Sequence, residues 1–225
     1  MLHRIALWVT LTLVSGIAVN SFAIERVPGR MNYLEIRSGY AMPLGDYTGL
    51  PGVPFVDQDG FPVSIEGTNV YKDGVSFGVG YGQVFGGKWI AGASFEYARN
   101  AVKDPIIQPG FAPVSFPKES AYNHYAIVLN WAYAPLDLRD QSWSPYFGPS
   151  VSLGLASLSA PGYVTEYQTD FGLDLAFGMD FRVWQSADNR SMVALSSINS
   201  WNFVATSDRV SHLQIGGGLK YFFKP

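Results

Sequence analysis

Residues 170–184 read D-F-G-L-D-L-A-F-G-M-D-F-R-V-W, an unbroken alternation of apolar with small or charged side chains. A period of two is the period of a β-strand, so one face carries Phe171, Leu173, Leu175, Phe177, Met179, Phe181 and Val183. The other face carries Gly172, Asp174, Ala176, Gly178, Asp180 and Arg182. Globular strands commonly run to roughly five or six residues, whereas a tilted strand needs about nine to eleven to cross a bilayer. The stretch is long enough for the second role. Its apolar face is expected to meet lipid and its charged face to line the lumen of a barrel.

The first residues bear on compartment. Arg4 precedes an apolar run from Ile5 to Val19, and Ala23 follows with small residues at the last and third-last positions of the segment. This is the pattern of a secretory signal peptide covering residues 1–23, with residues 24–225 as one barrel domain. The run falls short of the roughly 18 apolar residues that a spanning helix requires. Without Arg4, 14 of the 15 basic residues remain against 18 acidic ones, so no basic face points to nucleic acid. Cysteine is absent, and an exported chain without disulfides needs another device to hold it, which a closed barrel in a bilayer supplies. Aromatic residues are as common as charged ones, 15% each, and tyrosine and tryptophan gather at membrane interfaces.

Further alternating segments follow the same rule. Leu34, Ile36, Tyr40 and Met42 oppose Glu35, Arg37, Gly39 and Ala41; Val75, Phe77, Val79 and Tyr81 return after Gly86-Gly87-Lys88 as Trp89, Ala91, Ala93, Phe95 and Tyr97. Tyr125 to Tyr133, Tyr146 to Ala156, Ser191 to Ile198 and His212 to Phe223 complete eight strands with 170–184. Pro149 is expected at a bulge or a rim, and 191–198 keeps the poorest period. The proline-rich segments 43–73 and 98–120 read as long loops. Connections of about 31, 4, 23, 11, 13, 6 and 12 residues alternate long with short. The fold expected is all-β, an eight-stranded antiparallel up-and-down transmembrane β-barrel, in the bacterial outer membrane with both termini periplasmic.

The phrases Gly39-Tyr40-Ala41-Met42-Pro43-Leu44-Gly45-Asp46-Tyr47 and Gly217-Gly218-Leu219-Lys220-Tyr221-Phe222-Phe223 resemble those of small outer-membrane β-barrel proteins of Gram-negative bacteria. That group includes the transmembrane domain of OmpA and the OmpX-like barrels. The resemblance implies that Leu219, Tyr221 and Phe223 are read by the barrel-insertion machinery, although Lys224 and Pro225 follow the usual terminal aromatic. It does not imply an OmpA-like anchoring role, since no sequence remains for a peptidoglycan-binding domain.

The candidate site is the lumen. Glu35, Arg37, Glu96, Asp174, Asp180, Arg182 and Lys220 are expected to point inward, with His124, His212 and Gln214 among them. Side chains fill the interior of an eight-stranded barrel, so a paired structural network is one reading and a narrow path for ions or small solutes is the alternative. If the first and last strands pair, Lys220 reaches Glu35, with Arg37 and Asp180 or Arg182 extending the network. Catalysis is not expected: the His-x-Ser pattern of barrel deacylases is missing, because Tyr125 and Ala126 follow His124, and Ser211 points away from the neighbouring His212. Neither metal nor cofactor is expected from so few histidines and no cysteine. Outer-membrane lipid is the expected surrounding. The apolar loop residues Val53, Phe55, Val56, Phe61, Ile106, Ile107, Phe111, Val114 and Phe116 either pack on one another or meet an extracellular partner.

Overall fold

The computed structural model describes residues 30–44, 46–47, 49–50, 53–54, 56, 59–61, 64–66, 70–106, 115, 117–162, 165–204 and 211–224. The expected signal peptide lies outside them, as do Phe55, Ile107, Phe111, Val114 and Phe116, and of Val53 and His212 only the backbone is described. Eight long strands form the wall: β1 (Met31–Leu44), β2 (Gly74–Phe85), β3 (Trp89–Ala101), β4 (Ala121–Tyr133), β5 (Trp143–Ser159), β6 (Glu166–Gln185), β7 (Ser191–Val204) and β8 (Ser211–Phe223). Each pairs antiparallel with its sequence neighbours, and β1 pairs with β8, so the sheet closes on itself. Two short ladders, Asp46–Tyr47 with Ile65–Glu66 and Gly49–Leu50 with Val53–Pro54, lie inside the first long loop.

Alternation decides which side chains go where. Leu34, Ile36 and Tyr40 of β1 are exposed on the outside, and so are Phe171, Leu173, Leu175, Phe177, Phe181 and Val183 of β6. Glu35, Asp174 and Asp180, one position out of step, are buried inside. An exterior of this kind is a continuous apolar surface far larger than soluble proteins tolerate, and the lipid interior is the solvent that suits it. The turn between β2 and β3 needs positive φ at Gly86 and Gly87, +56° and +72°, which a side chain would strain.

Three expectations need correction. Pro149 marks neither a bulge nor a rim: it sits mid-strand on the outer face and pairs in register with Leu175. The ladder to β4 instead lapses between the Asn130–Ser150 and Tyr133–Phe147 pairs without a change of register, as expected where a strand residue has no N–H to donate. The one register shift on the β6–β7 seam falls between Arg182 and Trp184. Second, the strict alternation of connection lengths fails. β5 and β6 run to 17 and 20 residues and β7 to Val204, which shortens the fifth and seventh connections to residues 160–165 and 205–210. Third, the loop expected from residue 98 starts at 102, because β3 continues to Ala101.

The chain has no cysteine, so single cysteines at 175 and 176 can carry a fluorophore. A lipid-phase quencher is expected to quench the label at 175 and spare that at 176; the opposite pattern would reverse the faces. Leu175→Arg should cost about 2 to 4 kcal/mol of unfolding free energy in vesicles if the position lies near the midplane.

Candidate functional site

The barrel interior is layered. At the end that carries the short β2–β3 turn, Met31, Tyr33, Ile90, Ala132, Ala134, Leu138, Tyr146, Met192, Ala194 and Phe222 form an apolar cluster. At the opposite, long-loop end, Ile65, Val70, Tyr71, Val102 and Ile106 of the first two loops pack on Tyr122, Ala156 and Leu158 of the inner wall. Polar and charged side chains occupy the space between. The apolar loop thus packs in part on the barrel through the fully buried Ile106, while Val56 and Phe61 stay exposed.

Just above the turn-end cluster, Lys220 of β8 donates to Asp180 of β6 at 2.9 and 3.2 Å and lies 3.8 Å from Glu35 of β1. The register places Glu35 directly opposite Lys220, so the closing seam itself brings these two together. Ser196 of β7 also donates to Asp180, at 2.5 Å. The ammonium sits 4.2 Å from the centre of the Tyr146 ring and 5.6 Å from that of Tyr33, which adds cation–π attraction in a desolvated place. Further along, Arg37 of β1 donates to Glu96 of β3 and, at 3.2 Å, to Ser94, whose own hydroxyl donates to Glu96 at 3.1 Å.

Arg182 joins neither group. Its guanidinium donates to the backbone carbonyls of Leu138 and Arg139 in the β4–β5 turn, at 3.0 and 2.5 Å. Asp174, Gln214 and His124 line a central cavity of about 50 Å³ together with Glu35, Arg37, Glu96 and Lys220. That is room for only a few waters, since one needs about 10–15 Å³. Asn130 Oδ1 also faces this space and has no protein partner among the described residues.

Sequence reasoning missed Asp170. Its carboxylate meets His124 Nε2 at 3.0 to 3.2 Å, both side chains being buried below the loop-end cluster, and Tyr122 stacks on the imidazole at 6.4 Å between ring centres. The pair reaches across β5 at Gly154. A Cβ there would lie 2.1 Å from Asp170 Oδ1 and 2.5 Å from His124 Nε2, so the absent side chain makes the contact possible. The period that places Asp174 and Asp180 inward also reaches Asp170. Among the described residues, no three His, Asp or Glu side chains converge as a metal centre would require.

Outside the wall, the β4–β5 turn has its own ion pair. Burial pushes the Asp137 carboxyl up, but hydrogen bonds from the Arg139 side chain and backbone N–H outweigh it, and Asp137 is held below the ordinary carboxylate range.

No protein-family model and no curated protein matches the sequence. Among solved structures, the chain is similar to Neisserial surface protein A (NspA), with a TM-score of 0.50 and 18% identity over 87% of this chain and 98% of that one. It is similar also to the outer membrane protein OprG from Pseudomonas aeruginosa, with a TM-score of 0.50 and 14% identity over 86% of this chain and 97% of that one. At such identities the likeness concerns the fold: the chain has the fold of the small outer-membrane β-barrels.

Removing Lys220 alone would strand two buried carboxylates, so Lys220→Met should cost about 3 to 5 kcal/mol. In a double-mutant cycle read by denaturant unfolding in detergent, Lys220→Met with Asp180→Asn should couple clearly, and with Glu35→Gln more weakly. Additivity within about 0.5 kcal/mol for the Asp180 cycle would mean that the pair contributes nothing.

The Asp137 carboxyl is depressed in the folded state, so its contribution is full above the unfolded value of about 3.9 and is lost as pH falls through the folded one. Asp137→Asn should therefore be less stable than the parent at neutral pH, and the two melting profiles should converge on acidification. A gap that stays constant to the lowest pH would contradict this.

Proposed function

We propose that the chain is an integral outer-membrane barrel with a structural or surface-interaction role, both termini periplasmic and the long loops facing outward. The observation that carries this reading is the crowded lumen. Among the described residues an apolar cluster lies toward each end, and the cavity between them measures about 50 Å³. The charges in that middle zone face one another: Lys220 is held by Asp180 and Glu35, and Arg37 by Glu96. Paired in this way they keep a low-dielectric interior stable, whereas a conducting path would need a continuous wet route.

Surface interaction is favoured over a purely structural role by the loop end, where Phe61 is 66% and Val56 51% exposed although both are apolar. Side chains of this kind, held above a rigid wall, suit an extracellular partner. Leu219, Tyr221 and Phe223 of β8 are the residues proposed for the barrel-insertion machinery. Leu219 and Tyr221 are exposed on the outer face, where a second protein can read them.

The alternative, a narrow channel, separates cleanly by experiment. Purified protein in planar bilayers is expected to give no stable unitary current at either polarity. A reproducible conductance that disappears when lumen residues such as Ala176 are enlarged would replace the proposed role with the channel.

A further inference from the structure

Facing out from the eight strands are apolar, aromatic, small or uncharged polar side chains, with a single exception. Among the described residues, Arg99 of β3 is the one charged side chain on the outer face of the wall. It lies near the loop end, is exposed, and its guanidinium has no hydrogen-bond or ion-pair partner among the described residues. An outward cation deep in hydrocarbon is expensive, and the cost falls toward zero only at the interface, where an anion can meet it.

The surroundings of Arg99 are ordered by the strand registers. Arg99 pairs with Asn123, Asn123 with Ser157, and Ser157 with Tyr167, which makes one polar row across four adjacent strands. The row beneath it runs Tyr97, Tyr125, Leu155 and Thr169. Tyr97 donates its hydroxyl to Asn123 Oδ1 at 2.9 Å and packs its ring 5.0 Å from that of Tyr125. Tyr125 stands on the diagonal from Arg99 on the adjacent strand, and Tyr167 closes the row of Arg99 on the strand beyond β5. Tyr125 is 38% and Tyr167 53% exposed. Neither row holds a carboxylate, and the outward positions above them, Ala101, Ala121 and Ser159, hold none either.

We propose that Arg99, with the Tyr125 hydroxyl diagonally across on the next strand and Tyr167 further along the same row, binds the phosphate of a lipid headgroup in the leaflet at the loop end. The guanidinium fork matches two phosphate oxygens at once, and the tyrosines supply neutral donors at the depth where their rings are at home. The tie from Tyr97 to Asn123 holds the platform in place before the lipid arrives. The ligand belongs to the bilayer and not to bulk solution, because the patch faces outward from the wall and its lower row merges into the apolar band. This inference rests on the bilayer-spanning reading of the barrel.

The test is native mass spectrometry of the detergent-solubilised full chain, titrated with a bisphosphorylated diglucosamine glycolipid or with the same lipid after phosphatase treatment. The parent should retain the phosphorylated lipid, and Arg99→Gln should weaken retention by about tenfold, the scale of one hydrogen-bonded charge. The dephosphorylated lipid should bind the parent no better than the phosphorylated lipid binds Arg99→Gln. Arg190→Gln, in the exposed turn at the opposite end, should behave like the parent. Equal retention by the parent and Arg99→Gln, or indifference to phosphatase treatment, would overturn the proposal. Full competition by millimolar inorganic phosphate would overturn it too, as a free-anion site. The unboiled gel shift of each variant is recorded in parallel: a variant that keeps its compact band but loses the lipid supports the site. Failure of the parent itself to insert into vesicles would count against the bilayer reading instead.

Discussion

A sheet that ended in hydrocarbon would leave a row of backbone N–H and C=O groups with nothing to bond, so the pairing of β1 with β8 is the contact on which the rest of the structure depends. It runs in unbroken register from Asn32 opposite Phe223 to Leu44 opposite Ser211. Once that seam is closed, the alternation along each strand becomes a division between two environments. Outward side chains must suit lipid and inward ones must suit each other. The register also acts directly on the chemistry, because it sets Glu35 opposite Lys220 and so delivers an acid to a buried ammonium.

The interior then has to solve a problem that the wall creates. Charges directed away from lipid arrive in a space too small for bulk water, where an unpaired charge is costly. The structure meets this with local groups and not with one continuous network. Asp180 and Glu35 share Lys220, Glu96 takes Arg37, and Asp170 takes His124. Serines complete the hydrogen bonding, Ser196 on Asp180 and Ser94 on Glu96. Each group bridges adjacent or next-but-one strands, so the polar layer reinforces the wall around its circumference.

Much of this was legible in the sequence wherever one physical rule acted alone. The faces of β6 follow from its period, and the seam follows from closure. The legible part of β7 ends at Ile198, short of Val204, because two rules collide there. Met192 and Ile198 turn inward, to the turn-end cluster and the cavity, while Ser197 stays exposed on the outer face, so hydrophobicity no longer reports the face. The partners of the inward charges were less legible than their direction. Alternation says which way Arg37 points but not that Glu96, two strands away, is nearer in space than Asp180. Asp170 stands at the edge of the pattern, and its contact with His124 depends on a gap left by Gly154 on the strand between them. Such a contact is a property of three strands at once.

Arg182 shows how the ends differ from the wall. Alternation points it inward like Asp180, but at its level the lumen is already closed by the β4–β5 turn, and its guanidinium finds carbonyls of that turn instead of a carboxylate. Those bonds hold the carbonyls on either side of the Arg139 Cα, and the Leu138 side chain is buried in the apolar cluster beneath. At the opposite end, Ile65, Val70, Tyr71, Val102 and Ile106 of the two long loops pack on Tyr122, Ala156 and Leu158 of the inner wall. The two ends thus differ: connections supply five of the eight residues of the loop-end cluster, whereas strands supply eight of the ten at the turn end. Connections tolerate sequence change far better than a registered wall does. The loop end of such a barrel can therefore be remodelled with less disturbance of the wall than the turn end, whose cluster includes Tyr33 and Phe222 of the closing seam.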